Sequence, residues 1–273
     1  MDADLLPPES TKDAPAAFHA ASCYAFIDRV HHGDNCEVLA SMPAESVDLV
    51  VTSPPYDDLR TYGGHSWDFY GVAWLLKRVL KPGGVLVWNV ADATKDGTES
   101  GNSMRQALHF QALGLNLHDT MVYQQCGTGA KGSNLAYWQE WEYMFVLSKG
   151  RPKSVERLTF PRINSGVGER GGVGQKGEIR KRPESEVSVR SNVWRIPHDG
   201  ENSHPAPFPL QLAKDHIFSW SKPGDVVLDP FAGSGTTLRA AKDLNRHYIG
   251  IEINEDYLSI INQRLAQDVL ALA

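Results

Sequence analysis

Cysteine is scarce in this sequence, and long apolar runs are missing from it. Three cysteines occur among 273 residues, at Cys23, Cys36 and Cys126, and they form neither a metal-ligand pattern nor an obvious disulfide framework. No apolar run approaches the roughly 18 residues of a membrane span, and the chain does not open on a charged-then-apolar signal pattern. We therefore expect a cytoplasmic protein with no membrane partner and no bound metal.

The composition that is present is that of a globular protein. The chain is 41% hydrophobic, which suffices for a substantial core in one large domain with an insertion or in two smaller domains. Strand-like and helix-like segments alternate along most of the chain, so we predict an α/β fold with a doubly wound, mostly parallel sheet. The predicted strands are 24–30, 47–51, 85–90, 121–125, 142–147, 226–229 and 247–252, and the predicted helices are 37–42, 70–80, 103–113, 210–220, 236–245 and 255–270.

The most informative segment is Thr52-Ser53-Pro54-Pro55-Tyr56, which follows the apolar run 47–51. Two successive prolines cannot donate to a sheet ladder, so the strand ends there in a stiff open loop. The loop offers carbonyl oxygens, a serine hydroxyl and an aromatic face, which suits a flat molecule that carries an amino group. Taken alone, a Pro-Pro pair after a strand is more often only a loop breaker.

A second signal lies far downstream, where the strand 226–229 leads into a turn with Gly233 and Gly235 and then into a helix. Glycines let the backbone approach a ligand, and the N-terminus of the helix points at the same place. The turn lacks the lysine of a phosphate-binding loop, and Leu238 stands where a dinucleotide fingerprint has its third glycine. Glu252 ends the next strand, where open α/β sheets bind a ribose diol. Together these features predict a nucleoside-binding site.

Both segments resemble motifs of the S-adenosylmethionine-dependent DNA amino-methyltransferases. Ser53-Pro54-Pro55-Tyr56 is similar to their tetrapeptide (Asp, Asn or Ser)-Pro-Pro-(Tyr, Phe or Trp), and Phe231-Ala232-Gly233-Ser234-Gly235 is similar to their Phe-x-Gly-x-Gly loop. The catalytic motif comes first, as in the beta subclass, and the resemblance covers residues 30–265. It implies a Rossmann-like methyltransferase fold with S-adenosyl-L-methionine as cofactor. No cysteine follows a proline, so the nucleophile of cytosine-C5 methyltransferases is missing.

The resemblance implies a role for each residue of the tetrapeptide. The Ser53 side chain and the Pro54 carbonyl would accept the hydrogens of the target amine, Pro55 would hold the turn, and Tyr56 would stack on the base. The amine is a poor nucleophile because its lone pair is delocalised into the ring, so its orientation toward the sulfonium methyl group matters most. A base inside a duplex cannot be presented in this way, and base flipping is therefore implied.

The same resemblance implies a set of cofactor-binding residues. Asp229 would lie near the methionine moiety and Phe231 near the adenine, while Gly233 and Gly235 admit the cofactor against the backbone. Glu252 would hold the ribose hydroxyls.

Further cofactor contacts are predicted around these. Thr236 and Thr237 would cap the helix and bond the amino-acid end of the cofactor. Asp34 resembles a position that contacts the adenine region, although ordinary turn chemistry explains it equally well. His204 and Phe208 are candidates from the segment before another cofactor motif, and a proline-rich helix entry explains them too.

The net charge of −6 conceals a basic segment. Between residues 149 and 195 there are twelve lysines and arginines and five glutamates. Phosphate binding depends on this local field rather than on the total charge, so we predict a DNA-facing recognition segment, with a solvated linker as the alternative. The predicted DNA-binding residues are Arg162, Arg170, Lys176, Arg180, Lys181, Arg182 and Arg190.

Serine in the first tetrapeptide position is associated in this family with N4-cytosine methylation, whereas aspartate is commoner in N6-adenine enzymes. Ser53 is neutral and cannot act as a strong base, so the proton would leave after methyl transfer. We predict site-specific methylation of the cytosine N4 amine in duplex DNA, with N6-adenine methylation as the runner-up. An inactive nucleic-acid-binding module, and methylation of RNA or of a protein amide, are further alternatives.

These expectations divide the chain into four parts. They are a mobile arm (1–22), a catalytic half (23–148), a target-recognition insert (149–200) and a cofactor-binding half (201–273). The expected partner is double-stranded DNA, in a prokaryotic or phage-encoded protein associated with the nucleoid. A homodimer and a cognate restriction endonuclease remain open.

Overall fold

A computed structural model describes residues 23–55, 67–126, 137, 139–161, 187–197 and 209–267. The strands are β1 (Arg29–His32), β2 (Val47–Thr52), β3 (Leu80–Val90), β4 (Thr94–Lys95), β5 (Thr98–Glu99), β6 (Asn116–Cys126), β7 (Trp141–Ser148), β8 (Thr159–Pro161), β9 (Val187–Val189), β10 (Val193–Pro197), β11 (Val226–Asp229) and β12 (His247–Glu252). The helices are α1 (Asn35–Ser41), α2 (Phe69–Val79), α3 (Asn102–Ala112), α4 (Leu210–Trp220), α5 (Thr236–Asp243) and α6 (Glu255–Ala266). No helix within these ranges is long and apolar enough to cross a membrane.

One sheet of eight strands forms the centre of the fold, in the order β1-β12-β11-β2-β3-β7-β6-β10. The first five strands of this order are mutually parallel, β7 runs antiparallel to both of its neighbours, and β10 is parallel to β6. The predicted doubly wound, mostly parallel α/β fold is therefore confirmed.

Residues of β2 contribute side chains to two separate hydrophobic cores. Val47 and Val50 belong to the core that includes side chains of α1, α2 and α3, and Leu49 and Val51 belong to the core that includes side chains of α4 and α5. All four side chains are completely buried. A parallel strand covered on both faces needs apolar residues at nearly every position, which explains why only Asp48 interrupts the apolar residues between Val47 and Val51.

The order of the strands reverses between β11 and β2. From β11 the chain passes through α5 to β12 on one side, and from β2 it passes through α2 to β3 on the other. In open α/β sheets such a reversal leaves a crevice outside the carboxyl ends of the two central strands, and ligands bind there. The tetrapeptide follows β2 and the glycine turn follows β11, so both motifs lie at this crevice.

The start of the sheet differs from the predicted strand 24–30. Residues Cys23–Ala25 form a turn of 3-10 helix, and β1 begins at Arg29. Asp28 lies between them with a φ of 57°, in the left-handed region that an extended strand does not enter. The Asp28 N–H donates to the Tyr248 carbonyl at 2.7 Å, so hydrogen bonding to β12 begins at this bend.

The helix predicted at 70–80 is present and ends within one residue of its predicted end, but the strand that follows begins earlier than expected. The helix α2 ends at Val79 and β3 begins at Leu80 rather than at Val85. The register of β2 against β3 shifts between the pairs Val47↔Leu80 and Leu49↔Val85. Gly83 has a φ of 79° and donates its N–H to the carbonyl of Lys149 at 2.6 Å. Residues 80–84, which include Gly83, therefore form an irregular first part of β3 rather than a loop.

The end of the predicted insert 149–200 is part of the central sheet. The strand β10 pairs with β6, and its Trp194 and Ile196 are 4% and 3% exposed within a core. The strands β8 and β9 pair with each other, with Thr159 opposite Val189. Residues 1–22 and 162–186 lie outside the described residues. The domain boundaries stay predictions. The strand β10 falls within the predicted insert but belongs to the central sheet.

Gly250 of β12 lets α5 pack against the sheet. A Cβ atom on this glycine would lie 2.5 Å from Cδ1 of the buried Leu238. We expect Gly250→Ala to lower the free energy of unfolding by about 1–3 kcal/mol through overpacking. In a Leu238→Ala background the loss should be smaller, because the clashing atoms are gone. Urea unfolding of the single and double variants measures this, and equal losses in both backgrounds would contradict it.

Candidate active site

The two motifs meet through one hydrogen bond between neighbouring strands. The Thr52 hydroxyl at the end of β2 donates to Oδ1 of Asp229 at the end of β11 over 2.7 Å. The two residues are 1% and 5% exposed. Ser53 follows Thr52 directly, so the tetrapeptide and the glycine turn begin from a shared point at the crevice.

The Asp229 carboxyl lies in a buried environment that disfavours its charge. Burial raises its pKa to about 6, while hydrogen bonds from Thr52, from the Phe231 N–H at 3.1 Å and from Thr237 act in the opposite direction. The negative charge of Glu252 raises the pKa further. A cation that approaches this carboxyl would therefore favour its ionised form.

The glycine turn has the backbone conformation that the sequence predicts. Gly233 and Gly235 have φ angles of 51° and 79°. A Cβ atom on Gly235 would lie 3.0 Å from Cγ2 of Ile261, so both backbone strain and the packing of α6 favour glycine here. Arg264 of α6 supports the turn by donating to the Ser234 carbonyl at 3.3 Å and to the Ser234 hydroxyl at 3.0 Å.

The capping role predicted for Thr236 and Thr237 is wrong. The N-cap of α5 is Gly235, which has no side chain to cap with. Thr236 accepts a hydrogen bond from Arg264 at 3.0 Å, and Thr237 donates to the Val51 carbonyl at 3.2 Å. These hydroxyl groups therefore tie α5 to α6 and to β2. Their contact with the cofactor stays a prediction.

Glu252 lies at the end of β12, as predicted, and its carboxylate is partly engaged by the backbone. It accepts the Gly233 N–H at 2.7 Å and the Asn254 N–H at 2.9 Å. Burial raises its pKa, and the hydrogen bonds from the N–H groups of Asn254, Gly233 and Ile253 lower it. A carboxylate has about four acceptor positions, so Glu252 retains acceptor capacity for a further hydroxyl group.

Asp34 and Phe231 lie at the same end of the sheet. Asp34 caps α1 by accepting the N–H groups of Cys36 at 2.8 Å and Glu37 at 3.1 Å. The ordinary turn role considered for Asp34 is thus present, and its contact with the adenine stays a prediction. The Phe231 ring meets Trp67 edge-on at 5.0 Å between centroids.

The structure describes Ser53, Pro54 and Pro55 beyond β2, and Pro54 is buried. Arg190 pairs with Asp215 at 2.6 Å, and its guanidinium lies 4.6 Å from the Trp194 ring. The charge of Arg190 is therefore already partnered within the domain, and its contact with DNA stays a prediction. The other predicted site residues lie outside the described residues: Tyr56, His204, Phe208, Arg162, Arg170, Lys176, Arg180, Lys181 and Arg182.

Sequence reasoning missed two residues that shape the site. Thr52 joins the two motifs, and Arg264 holds the glycine turn from 30 residues away. Thr52 could have been found from its position, because it is the last residue of a central strand beside the strand that ends in Asp229. Arg264 gives no comparable signal, because a basic residue in the last turn of a helix is common.

Comparisons with known proteins agree with this geometry. A family model described as DNA methylase matches residues 47–263. The orphan methyltransferase M.BamHII of Bacillus amyloliquefaciens is 46% identical over 244 residues, which cover 82% of this chain and 91% of that protein. The type II methyltransferase M.BglII of Bacillus subtilis is 28% identical over 273 residues, covering 94% of this chain and 74% of that protein.

Solved structures give the same answer for the fold. The Thermus thermophilus protein TTHA0409, complexed with S-adenosyl-L-methionine, is 30% identical with a TM-score of 0.63, covering 89% of this chain and 95% of that chain. The cytosine-N4-specific PvuII DNA methyltransferase has a TM-score of 0.64 at 21% identity, covering 89% and 87%. At that identity the likeness concerns the fold alone.

An open parallel sheet with a glycine turn and two carboxylates at its crevice defines a nucleoside-binding α/β protein. The chain belongs to the DNA methylase family of N6-adenine and N4-cytosine amino-methyltransferases.

The bond between Thr52 and Asp229 can be tested by substitution. Thr52→Val keeps the shape of the side chain and removes the donor, so a buried acceptor loses its partner. We expect the free energy of unfolding to fall by about 1–3 kcal/mol. Thr52→Ser keeps the hydroxyl and serves as the control, with a smaller loss expected. Urea midpoints measure both, and losses of equal size would contradict the assignment.

Asp229 should make stability depend on pH. Because its pKa of about 6 lies above the usual value of 3.8, the folded state binds this proton more tightly than the unfolded state does. The resulting stabilisation is present below about pH 4 and is lost as the pH rises through about 6, a change of about 3 kcal/mol.

The reference for this measurement is Asp229→Asn, which keeps an oxygen for the Thr52 hydroxyl and the Phe231 N–H but cannot ionise. Urea unfolding from pH 4 to pH 7 should show the wild type losing stability relative to this variant. A stability difference that does not change with pH would rule out the raised pKa.

Proposed function

We propose that this chain is a site-specific DNA methyltransferase that transfers the methyl group of S-adenosyl-L-methionine to the N4 amine of a flipped cytosine in duplex DNA. Membership of the DNA methylase family supports amino-methyl transfer to DNA. The predicted cofactor is supported by the family and by the relative that is complexed with it. The observation that carries the proposal is the 2.7 Å bond between Thr52 and Asp229, since it brings the tetrapeptide and the glycine turn to one crevice.

The residues of the crevice fit a positively charged nucleoside that has no phosphate. Asp229 and Glu252 place two carboxyl groups beside the turn, and the Gly233 N–H is already bonded to Glu252. Negative groups favour a sulfonium and accept ribose hydroxyls, whereas a phosphate would be repelled. When bound, the cofactor supplies an electrophilic methyl group on a positively charged sulfur.

The chain contributes orientation rather than strong acid or base chemistry. In this proposal the Ser53 hydroxyl and the Pro54 carbonyl accept the two amine hydrogens, and Pro55 holds the turn. Tyr56, which would stack on the base, lies outside the described residues. With the amine held in this way, its lone pair faces the methyl group. Because water is excluded, the amine nitrogen is the nucleophile that receives the methyl group.

Cytosine is favoured over adenine because the resembling family associates serine in the first tetrapeptide position, here Ser53, with N4-cytosine methylation. A serine hydroxyl is a neutral acceptor, and it cannot take a proton from the amine before methyl transfer. The methylated amine is cationic and acidic, and it releases its proton to bulk water when the product leaves the site. The amines of cytosine and adenine have the same donor geometry, so N6-adenine methylation is the alternative outcome of the test below.

Sequencing that distinguishes modified bases, on DNA from cells that express the chain, tests the proposal. We expect N4-methylcytosine at one short fixed sequence and its loss in Ser53→Ala, because the acceptor of the amine hydrogen is gone. Ser41→Ala on the surface of α1 is the matched control and should leave the modification unchanged.

The other outcomes separate the alternatives. N6-methyladenine at a fixed sequence would overturn the base assignment and keep the class of enzyme. No modified base, together with no thermal shift on addition of S-adenosylmethionine, would point to an inactive nucleic-acid-binding module.

A further inference from the structure

Polar side chains from three adjacent strands are joined beside the tetrapeptide. The Glu142 carboxylate of β7 accepts Nδ2 of Asn89 on β3 at 2.6 Å and Nε2 of Gln125 on β6 at 2.8 Å. Asn89 is 1% exposed. Glu142 and Gln125 are half-buried, and the hydrogen bonds among the three side chains hold the buried Asn89 in a fixed orientation. Neither Asn89 nor Glu142 stands out in the sequence as a candidate site residue.

The carboxylate determines which way the Asn89 amide lies. An ionised carboxylate can only accept hydrogen bonds, so the Asn89 atom that faces Glu142 at 2.6 Å must be the amide nitrogen. The amide oxygen is on the other branch of the side chain and is turned away from β7. The strand on that side of β3 is β2, which ends at the tetrapeptide.

Ser53 is the neighbour of Asn89 across the two strands. Thr52 pairs with Trp88 in the parallel register, so the next residues along the two strands are Ser53 and Asn89. Ser53 precedes a proline, which keeps its backbone extended. Side chains alternate along a strand, and Val51 and Val87 two residues earlier share one core. The side chains of Ser53 and Asn89 thus belong to the same face, on strands about 4.8 Å apart.

A hydroxyl that accepts an amine hydrogen must direct its own proton elsewhere. Serine has one O–H and two lone pairs, and an O–H that points at the amine would oppose it. The function proposed above, on which this inference rests, requires Ser53 to act as an acceptor. We propose that in the working site Asn89 accepts the Ser53 O–H through its amide oxygen, and that Glu142 acts through Asn89 as a positioning residue for methyl transfer.

Steady-state kinetics of the full chain on duplex DNA with S-adenosylmethionine test this assignment. Glu142→Gln allows the Asn89 amide to turn, because the new amide can donate as well as accept. We expect kcat to fall about tenfold or more, with KM for both substrates changed less than about twofold, since the bond matters for the reacting geometry and not for binding. Glu140→Gln, the same change at an exposed position, should leave both constants unchanged.

Exchanging the two groups should restore the reaction. In Asn89→Asp with Glu142→Gln, the amide at 142 donates to the carboxylate at 89, whose second oxygen still faces Ser53. This double variant should recover most of the kcat lost in either single variant. In Asn89→Leu with Glu142→Leu the strands can pack without polar groups, but no acceptor faces Ser53, and kcat should stay low although the thermal midpoint is retained.

The outcomes decide between a positioning role and a purely structural one. Recovery of kcat in both double variants would mean that the pair only supports packing, and recovery in neither would also overturn the proposal. If the variant Asn89→Leu with Glu142→Leu does not fold, the proposal is still tested by comparing kcat of Asn89→Asp with Glu142→Gln against kcat of the two single variants. A wild-type chain without methyl transfer would instead overturn the proposed function, which is a separate failure.

Discussion

The hydrogen bond between Thr52 and Asp229 is the contact on which the arrangement of the site depends. It joins residues 177 positions apart, and it lies at the place in the sheet where the strand order reverses. The strands β2 and β11 are buried on both faces, so their ends cannot move apart without disturbing two hydrophobic cores. The fold therefore fixes the distance between the tetrapeptide and the glycine turn.

Burial in the crevice disfavours the negative charges of Asp229 and Glu252, whereas hydrogen bonds favour them. Asp229 and Glu252 both have pKa values raised by burial, and both are stabilised by N–H donors of the glycine turn or its neighbours. The two carboxyl groups also repel each other. A cationic ligand would offset this repulsion, so two carboxyl groups at this crevice suit a sulfonium nucleoside.

The sequence allowed much of this architecture to be predicted. The strand 247–252 and the helix 210–220 match the structure, because continuous apolar runs and helical spacing are strong signals. The bend at Asp28 and the pairing of β10 with β6 could not be predicted, since each depends on a partner strand distant in the sequence. The Glu142 contacts need the strand register as well, which no local pattern contains.

The pairing of β8 with β9 has a consequence for how this protein can diversify. Thr159 lies opposite Val189, so the chain between Pro161 and Val187 leaves and returns at neighbouring points on a fixed base. For a flexible connection, the entropy of closure grows only with the logarithm of its length. Exchange of the residues between Pro161 and Val187 for another flexible connection would therefore leave the strands of the central sheet, and the crevice at their ends, unchanged.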